Sequence, residues 1–228
     1  DWVLDTVFSS KGDHVISAGR DMSAKLTELV TQRFVDNLTS ITPGALKGGL
    51  SAIDRHPQRD EILVGGADGL PQIYRMVRVV QRRIGDNSNL TRRFPPMEGR
   101  IWSVHYSSDG KRLLATSSLD GKGAVNIYNA DFDTTLPENI KGIFGKVSTS
   151  RSAEENAAVE KYQTDGAVLQ HHIEMPCGIY TAQFSPDGKT IAAAGQDGIV
   201  RLIDASTGKI TKEFLPVTLT PAVSTPAK

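Results

Sequence analysis

The sequence predicts an all-β chain of small four-stranded antiparallel meanders, each one blade of a propeller, and three observations predict it. Residues 179–214 read I-Y-T-A-Q-F-S-P-D-G-K-T-I-A-A-A-G-Q-D-G-I-V-R-L-I-D-A-S-T-G-K-I-T-K-E-F. Four short alternating or apolar runs are cut there by S-P-D-G, G-Q-D-G and S-T-G, clusters rich in residues that initiate turns or tolerate positive φ. The same pattern recurs three times upstream, as W-S-V-H-Y-S-S-D-G-K-R-L-L-A-T-S-S-L-D-G, L-S-A-I-D-R-H-P-Q-R-D-E-I-L-V-G-G-A-D-G and W-V-L-D-T-V-F-S-S-K-G-D-H-V-I-S-A-G-R-D. Register is kept as well: from the opening residue (Trp2, Leu50, Trp102, Tyr180) to the turn aspartate (Asp21, Asp68, Asp120, Asp197) the separation is 19, 18, 18 and 17 residues.

Blade one is expected over about 2–40, with its fourth strand at 33–37, followed by a polar link through Pro43 and Gly44. Blade two is expected over about 48–97. Its third strand continues into R-M-V-R-V-V-Q-R-R-I-G, whose alternation predicts a prolonged hairpin turning at Gly85 to Asn89. Blade three spans about 100–175 and blade four about 178–215. Successive turn aspartates are 47, 52 and 77 residues apart, against about 40 to 45 for a repeat of this size. The surplus falls in an insertion over about 131–167. There Ser152-Ala153-Glu154-Glu155 reads as a capping box opening a helix, and Ile140, Ile143, Phe144 and Val147 recur at helical spacing. Residues 216–228 hold Pro216, Pro221 and Pro226 without periodicity and read as a linker or disordered tail.

The S-P-D-G turn, the G-x-D-G turn and the apolar strand ending in Ile203-Asp204 or Ile127-Tyr128 resemble the WD-repeat β-propellers, over nearly all of residues 1–215. No repeat has the Gly-His pair before its first strand, and the Trp-Asp pair appears as Leu-Thr, Ile-Tyr, Ile-Tyr and Ile-Asp. The His–Trp network of that family is therefore expected to be absent. The run from R-D-M-S-A-K-L-T-E-L to F-D-T-T-L-P is also similar to the propeller segment of large bacterial proteins of the planctomycete cytochrome type. That resemblance implies a c-type haem domain elsewhere in a parent protein, and with it a periplasmic location, with the cytoplasm as the alternative. It further implies that four blades are an open arc, the ring being completed upstream.

Composition sets bounds on function. Lys plus Arg equals Asp plus Glu at 26 each among 228 residues, so no net field draws the chain to nucleic acid or an anionic membrane. No apolar run approaches the roughly 18 residues of a membrane span. The one cysteine, Cys177, excludes an internal disulfide. No C-x-x-C-H is present, so no cofactor is expected in this chain, and any haem belongs to a neighbouring domain.

Candidate sites are few. His171, His172, Glu174, Met175 and Cys177 offer metal-ligand types, but strand neighbours point to opposite faces, so the two histidines diverge. Asp21, Asp68, Asp120 and Asp197 recur in one turn of each blade and read as structural acceptors for backbone N–H groups. Neither a nucleophile elbow nor a phosphate loop is present. Trp2, Leu50, Trp102 and Tyr180 are expected to pack between blades. Arg75, Arg78, Arg82, Arg83, Arg92 and Arg93 form the one charge cluster, a candidate contact for an acidic partner or a solubilising outward face. The reading is a non-catalytic interaction scaffold that contacts protein partners or neighbouring domains. The alternative is a ligand-binding or enzymatic propeller with a site in the central channel.

Overall fold

The computed structural model describes residues 1–39, 49–83 and 86–217; the polar link and most of the proline-bearing tail lie outside them. Sixteen strands form four four-stranded antiparallel sheets. Blade one is β1 (Val3–Phe8), β2 (His14–Gly19), β3 (Ala24–Glu28) and β4 (Phe34–Asn37). Blade two is β5 (Leu50–Arg55), β6 (Glu61–Gly66), β7 (Gln72–Arg75) and β8 (Leu90–Arg93). Blade three is β9 (Arg100–Tyr106), β10 (Arg112–Leu119), β11 (Lys122–Asn129) and β12 (Leu169–Met175). Blade four is β13 (Ile179–Phe184), β14 (Thr190–Gly195), β15 (Val200–Asp204) and β16 (Ile210–Phe214). In each the strands follow chain order across the sheet.

Three apolar cores join consecutive blades. Ile16, Ala18 and Leu26 of blade one meet Ile53, Ile62 and Val64 of blade two. Leu63 and Ile73, on the other face of blade two, meet Ile101, Val104 and Leu113. Leu114, Val125 and Ile173 then meet Ala182, Ile191 and Ile203 of blade four. Because side chains alternate across a strand, a middle blade must be apolar on both faces, and β6 is buried along its whole length. Among the described residues no sheet closes on itself. The outer face of blade one leaves Phe8 and Phe34 at 59% and 55% exposure.

The first two strands of every blade share a bulge. Leu4, Ser51, Trp102 and Tyr180 are each an extra residue on the inner strand, between Val3 and Asp5, Leu50 and Ala52, Ile101 and Ser103, and Ile179 and Thr181. These four, and not Trp2 and Leu50, are the structurally equivalent positions. Counted from the bulge, the turn aspartate follows after 17 residues in blades one, two and four and 18 in blade three. The chain crowds itself here. A Cβ on Gly195 would lie 1.9 Å from the Gly178 carbonyl oxygen, and one on Gly66 would lie 2.1 Å from that of Gly49. Those carbonyls accept from the N–H of Gln196 and Ala67, so the close approach also closes the turn.

Inner strands are stitched to one another by side chains. Asp5 Oδ2 accepts from Ile53 N (2.9 Å), and Asp54 Oδ2 accepts from Tyr106 N (2.8 Å). Ser103 Oγ donates to Ala182 O (3.2 Å). Each interface thus carries a polar bond beside its apolar core.

The prolonged hairpin in blade two does not form. β7 ends at Arg75 and β8 begins at Leu90, and the described residues between them are irregular. Met76 is drawn into the core between blades one and two, Val80 packs against the insertion, and Arg78 reaches Asp36 and Asp86. Three anchors in three directions are incompatible with the two-faced alternation of a strand. The insertion is helical, with α1 (Glu138–Phe144), a 3-10 turn at Ser148–Ser150 and α2 (Ala153–Thr164). Ser152 Oγ accepts from Glu155 N, and the Glu155 carboxylate accepts from Ser152 N in return, the reciprocal pair its sequence predicts.

Candidate interaction surface

The turn aspartates divide by blade. Asp68 Oδ1 accepts from Leu70 N (3.1 Å) and Asp197 Oδ1 from Ile199 N (3.0 Å), and Asp21 Oδ1 accepts from both Ser23 N (3.4 Å) and the Ser23 hydroxyl (2.7 Å). Asp120 departs from this expectation. Its φ is 49° and that of Gly121 is 79°, so the two form a tight hairpin tip between Leu119 and Lys122. Among the described residues no donor reaches the Asp120 carboxylate.

At one register position on the third strand, four residues after the aspartate in blades one, two and four and six after it in blade three, comes a polar side chain: Lys25, Gln72, Asn126 or Arg201. In the end blades it is a cation that clips the turn. Lys25 Nζ lies 2.5 Å from Asp21, and Arg201, itself buried, places Nη2 2.5 Å from Asp197 and Nε 2.8 Å from Glu213. Burial acts to raise the Asp21 carboxyl, but hydrogen bonds from Lys25 and Ser23 prevail and bring it to about 2. The Arg201 hydrogen bond holds Asp197 well below the usual carboxylate range, and Asp197 in turn raises Arg201. In the middle blades the residue is an amide paired with a tyrosine two positions on. The Tyr74 hydroxyl lies 3.3 Å from Gln72 Oε1, and Asn126 Nδ2 2.9 Å from the Tyr128 hydroxyl.

The arginine cluster is brought together, but most of its donors turn to this chain. Arg92 is 2% exposed; its guanidinium lies 4.9 Å from the ring centres of both Phe132 and Tyr162 and donates to Asp133 O (2.5 Å). Arg75 Nη2 donates to Thr134 O (2.8 Å), and Arg93 pairs with Glu160. These three fasten the insertion, which belongs to blade three in the sequence, onto the two outer strands of blade two. Arg78 bridges Asp36 and Asp86, and Arg82 also reaches Asp36, tying blade two to blade one. Arg82 and Arg83 are the exposed members. Asp36, Phe132, Glu160 and Tyr162 carry no local motif, so nothing in the sequence marks them as partners.

The histidine pair parts as strand geometry requires. His171 Nε2 lies 2.9 Å from Ser206 O in blade four, whereas His172 Nδ1 lies 2.7 Å from Asn126 Oδ1. A third histidine carries no local motif. His56 stands where the other blades have the serine of the first turn, and its Nδ1 accepts from Gln58 N (3.1 Å) and Arg59 N (3.0 Å). Burial, reinforced by the charge of Arg59, pushes it down to about 4, so it is neutral at physiological pH.

Two of the inner-strand aromatics do meet between blades, but at the surface and outside the apolar cores. Trp102 and Tyr180, both bulge residues, are 42% and 46% exposed and stack edge to face with ring centres 5.7 Å apart. Arg100 lies over Trp102 and Arg20 over Trp2. Leu50, in contrast, is buried.

The family described as WD domain, G-beta repeat matches residues 88–122 and 164–204. These segments fall on the end of blade two with the first half of blade three, and on the end of α2 with β12 to β15. No curated protein matches the chain. Two matched repeats, set in four sheets of four antiparallel strands, support a WD-repeat propeller.

Proposed function

We propose that this chain is a non-catalytic protein-interaction scaffold, a propeller module of a larger bacterial protein that also carries a c-type haem domain. The observation that carries the scaffold reading is the exposed aromatic row at the inner strands, where Trp102 and Tyr180 stack on one another under Arg100. Rigid aromatic groups with a flanking arginine are the side chains that dominate protein contacts. The bulge holds both rings out of the blade-to-blade cores, so their exposure is built into the backbone. Arg82 and Arg83 add a cationic edge for an acidic segment of the partner, while Arg75, Arg78, Arg92 and Arg93 hold the surface together. WD-repeat proteins are typically non-enzymatic scaffolds, in keeping with this reading.

The test is affinity capture from the native host with the wild-type chain and with a Trp102→Ala/Tyr180→Ala variant of unchanged melting temperature. The wild type is expected to retain a defined partner, or the remainder of its own parent protein, and the variant to lose it. Equal capture by the two would overturn the assignment of the surface.

A further inference from the structure

We infer that the groove between blade two and the insertion is a binding site for a phosphate group, held by Arg59 and Arg75. The groove is about 420 Å³, and the two arginines, Thr134, Thr135 and Lys141 are among its lining residues. The argument rests on donors left over. Arg59 uses Nε on Glu61 (2.8 Å), and Arg75 uses Nη2 on Thr134 O and on the Tyr162 hydroxyl. Arg59 Nη2 and Arg75 Nη1 are shielded from solvent and have no acceptor among the described residues. A guanidinium nitrogen removed from water without an acceptor is costly.

Three carboxylates line the groove as well, and none of them reaches Arg59 Nη2 or Arg75 Nη1. Glu61 is held by Arg59 and Glu138 by Lys141, and Asp60 accepts from Ser10 Oγ (2.8 Å). What the groove lacks is an acceptor able to serve both guanidinium forks at once. A phosphate has three or four oxygens in tetrahedral array and takes charge-assisted bonds from two forks, each stronger than a neutral bond. Lys141, on α1, stands at the groove edge paired with Glu138.

Inorganic phosphate and O-phosphoserine, titrated separately into the 228-residue chain at constant ionic strength set with chloride, distinguish a free anion from one borne by a partner side chain. Saturable binding of either is expected, and tighter binding of phosphoserine identifies a partner-borne group. Arg59→Gln is expected to weaken binding about tenfold, the loss of one charge-assisted contact. Because that change also strips Glu61 of its partner, Thr135→Glu provides a second variant. Thr135 is exposed on the groove wall, so a carboxylate there supplies the missing acceptor from within the chain. It is expected to abolish phosphate binding while leaving the melting temperature equal or higher. No saturable binding of either probe, or affinities within twofold across both variants and the wild type, overturns the proposal.

Discussion

The end blades and the middle blades set different chemistry at the same position of the third strand. Blades one and four use a carboxylate and a cation four residues apart, Asp21 with Lys25 and Asp197 with Arg201. Blades two and three use an amide and a tyrosine, Gln72 with Tyr74 and Asn126 with Tyr128. The difference follows burial. A middle blade has apolar neighbours on both faces, where an ion pair loses hydration that its mutual attraction does not fully replace, whereas an amide and a phenol need only one hydrogen bond each. An end blade keeps one face toward solvent, where Asp21, Lys25 and Asp197 stay partly exposed although Arg201 itself is buried. The second strands say the same: β6 is buried throughout and β10 from Leu113 to Ser117, while β2 over 15–18 and β14 over 190–193 alternate buried with more exposed residues.

The comparison breaks most sharply at the bulge. Gly195→Ala would drive a methyl group into the Gly178 carbonyl, and we expect a loss of about 3 kcal/mol in urea unfolding, the upper end of the overpacking range. Blade three already carries Ser117 at the corresponding place, and Ser117→Gly should cost about 1 kcal/mol or less. Equal costs would mean that the blades do not share the bulge.

Next comes the fastening of the insertion. Arg92→Lys removes the planar fork from between Phe132 and Tyr162 and should cost about 2 kcal/mol. Amides of α2 should then exchange with solvent faster than those of β10 and β14.

The end-blade clips are titratable and the middle-blade pairs are not. Asp21 is depressed from 3.8 to about 2 and Asp197 is depressed as well. A carboxylate lowered on folding stabilises the native state above its unfolded value, and that stabilisation is lost as pH falls toward the folded value. Burial pushes the Tyr128 hydroxyl up to about 12 and Tyr74 higher still, so neither changes charge in acid. Between pH 4 and pH 2, as set by those values, amides of residues 21–26 and 197–202 should lose exchange protection before those of 72–74 and 124–128. Uniform loss across the four turns would refute the distinction.

The smallest effect is expected at Asp120. With φ at 49° and no partner for its carboxylate among the described residues, Asp120→Gly should change stability by no more than about 0.5 kcal/mol. Asp197→Gly, which frees a buried guanidinium, should cost about 2 kcal/mol.

What the sequence made legible was what is local. Four meanders, the S-P-D-G turns and the Ser152 capping box each occupy a few adjacent residues whose chemistry acts at short range. The bulges were not legible, because an extra residue on one strand is defined only against its partner. Aligning on Trp2 and Leu50, in place of Leu4 and Ser51, followed from that. The arginines were visible as a cluster, but their meaning depended on Asp36 and Glu160, more than forty residues away on either side. The R-M-V-R-V-V run alternated like a strand because core, insertion and ion pairs each claimed one of its side chains. His56 was missed because it replaces a serine side-chain acceptor with an imidazole nitrogen, a substitution of role that leaves no motif.

One consequence follows from where the insertion is tied. Chain order places it in blade three, yet Arg75, Arg92 and Arg93 hold it against blade two. Under tension applied through the two termini, the three junctions bear load in series, each by a core and an inner-strand stitch. The first junction adds the Arg78 and Arg82 ties to Asp36 and the third the Arg112 bonds to Ala205 O and Gly188 O, but among the described residues only the second adds a helical strut with a core of its own, so in a pulling experiment blades one and four should peel away first and leave blades two and three as the last unit to rupture.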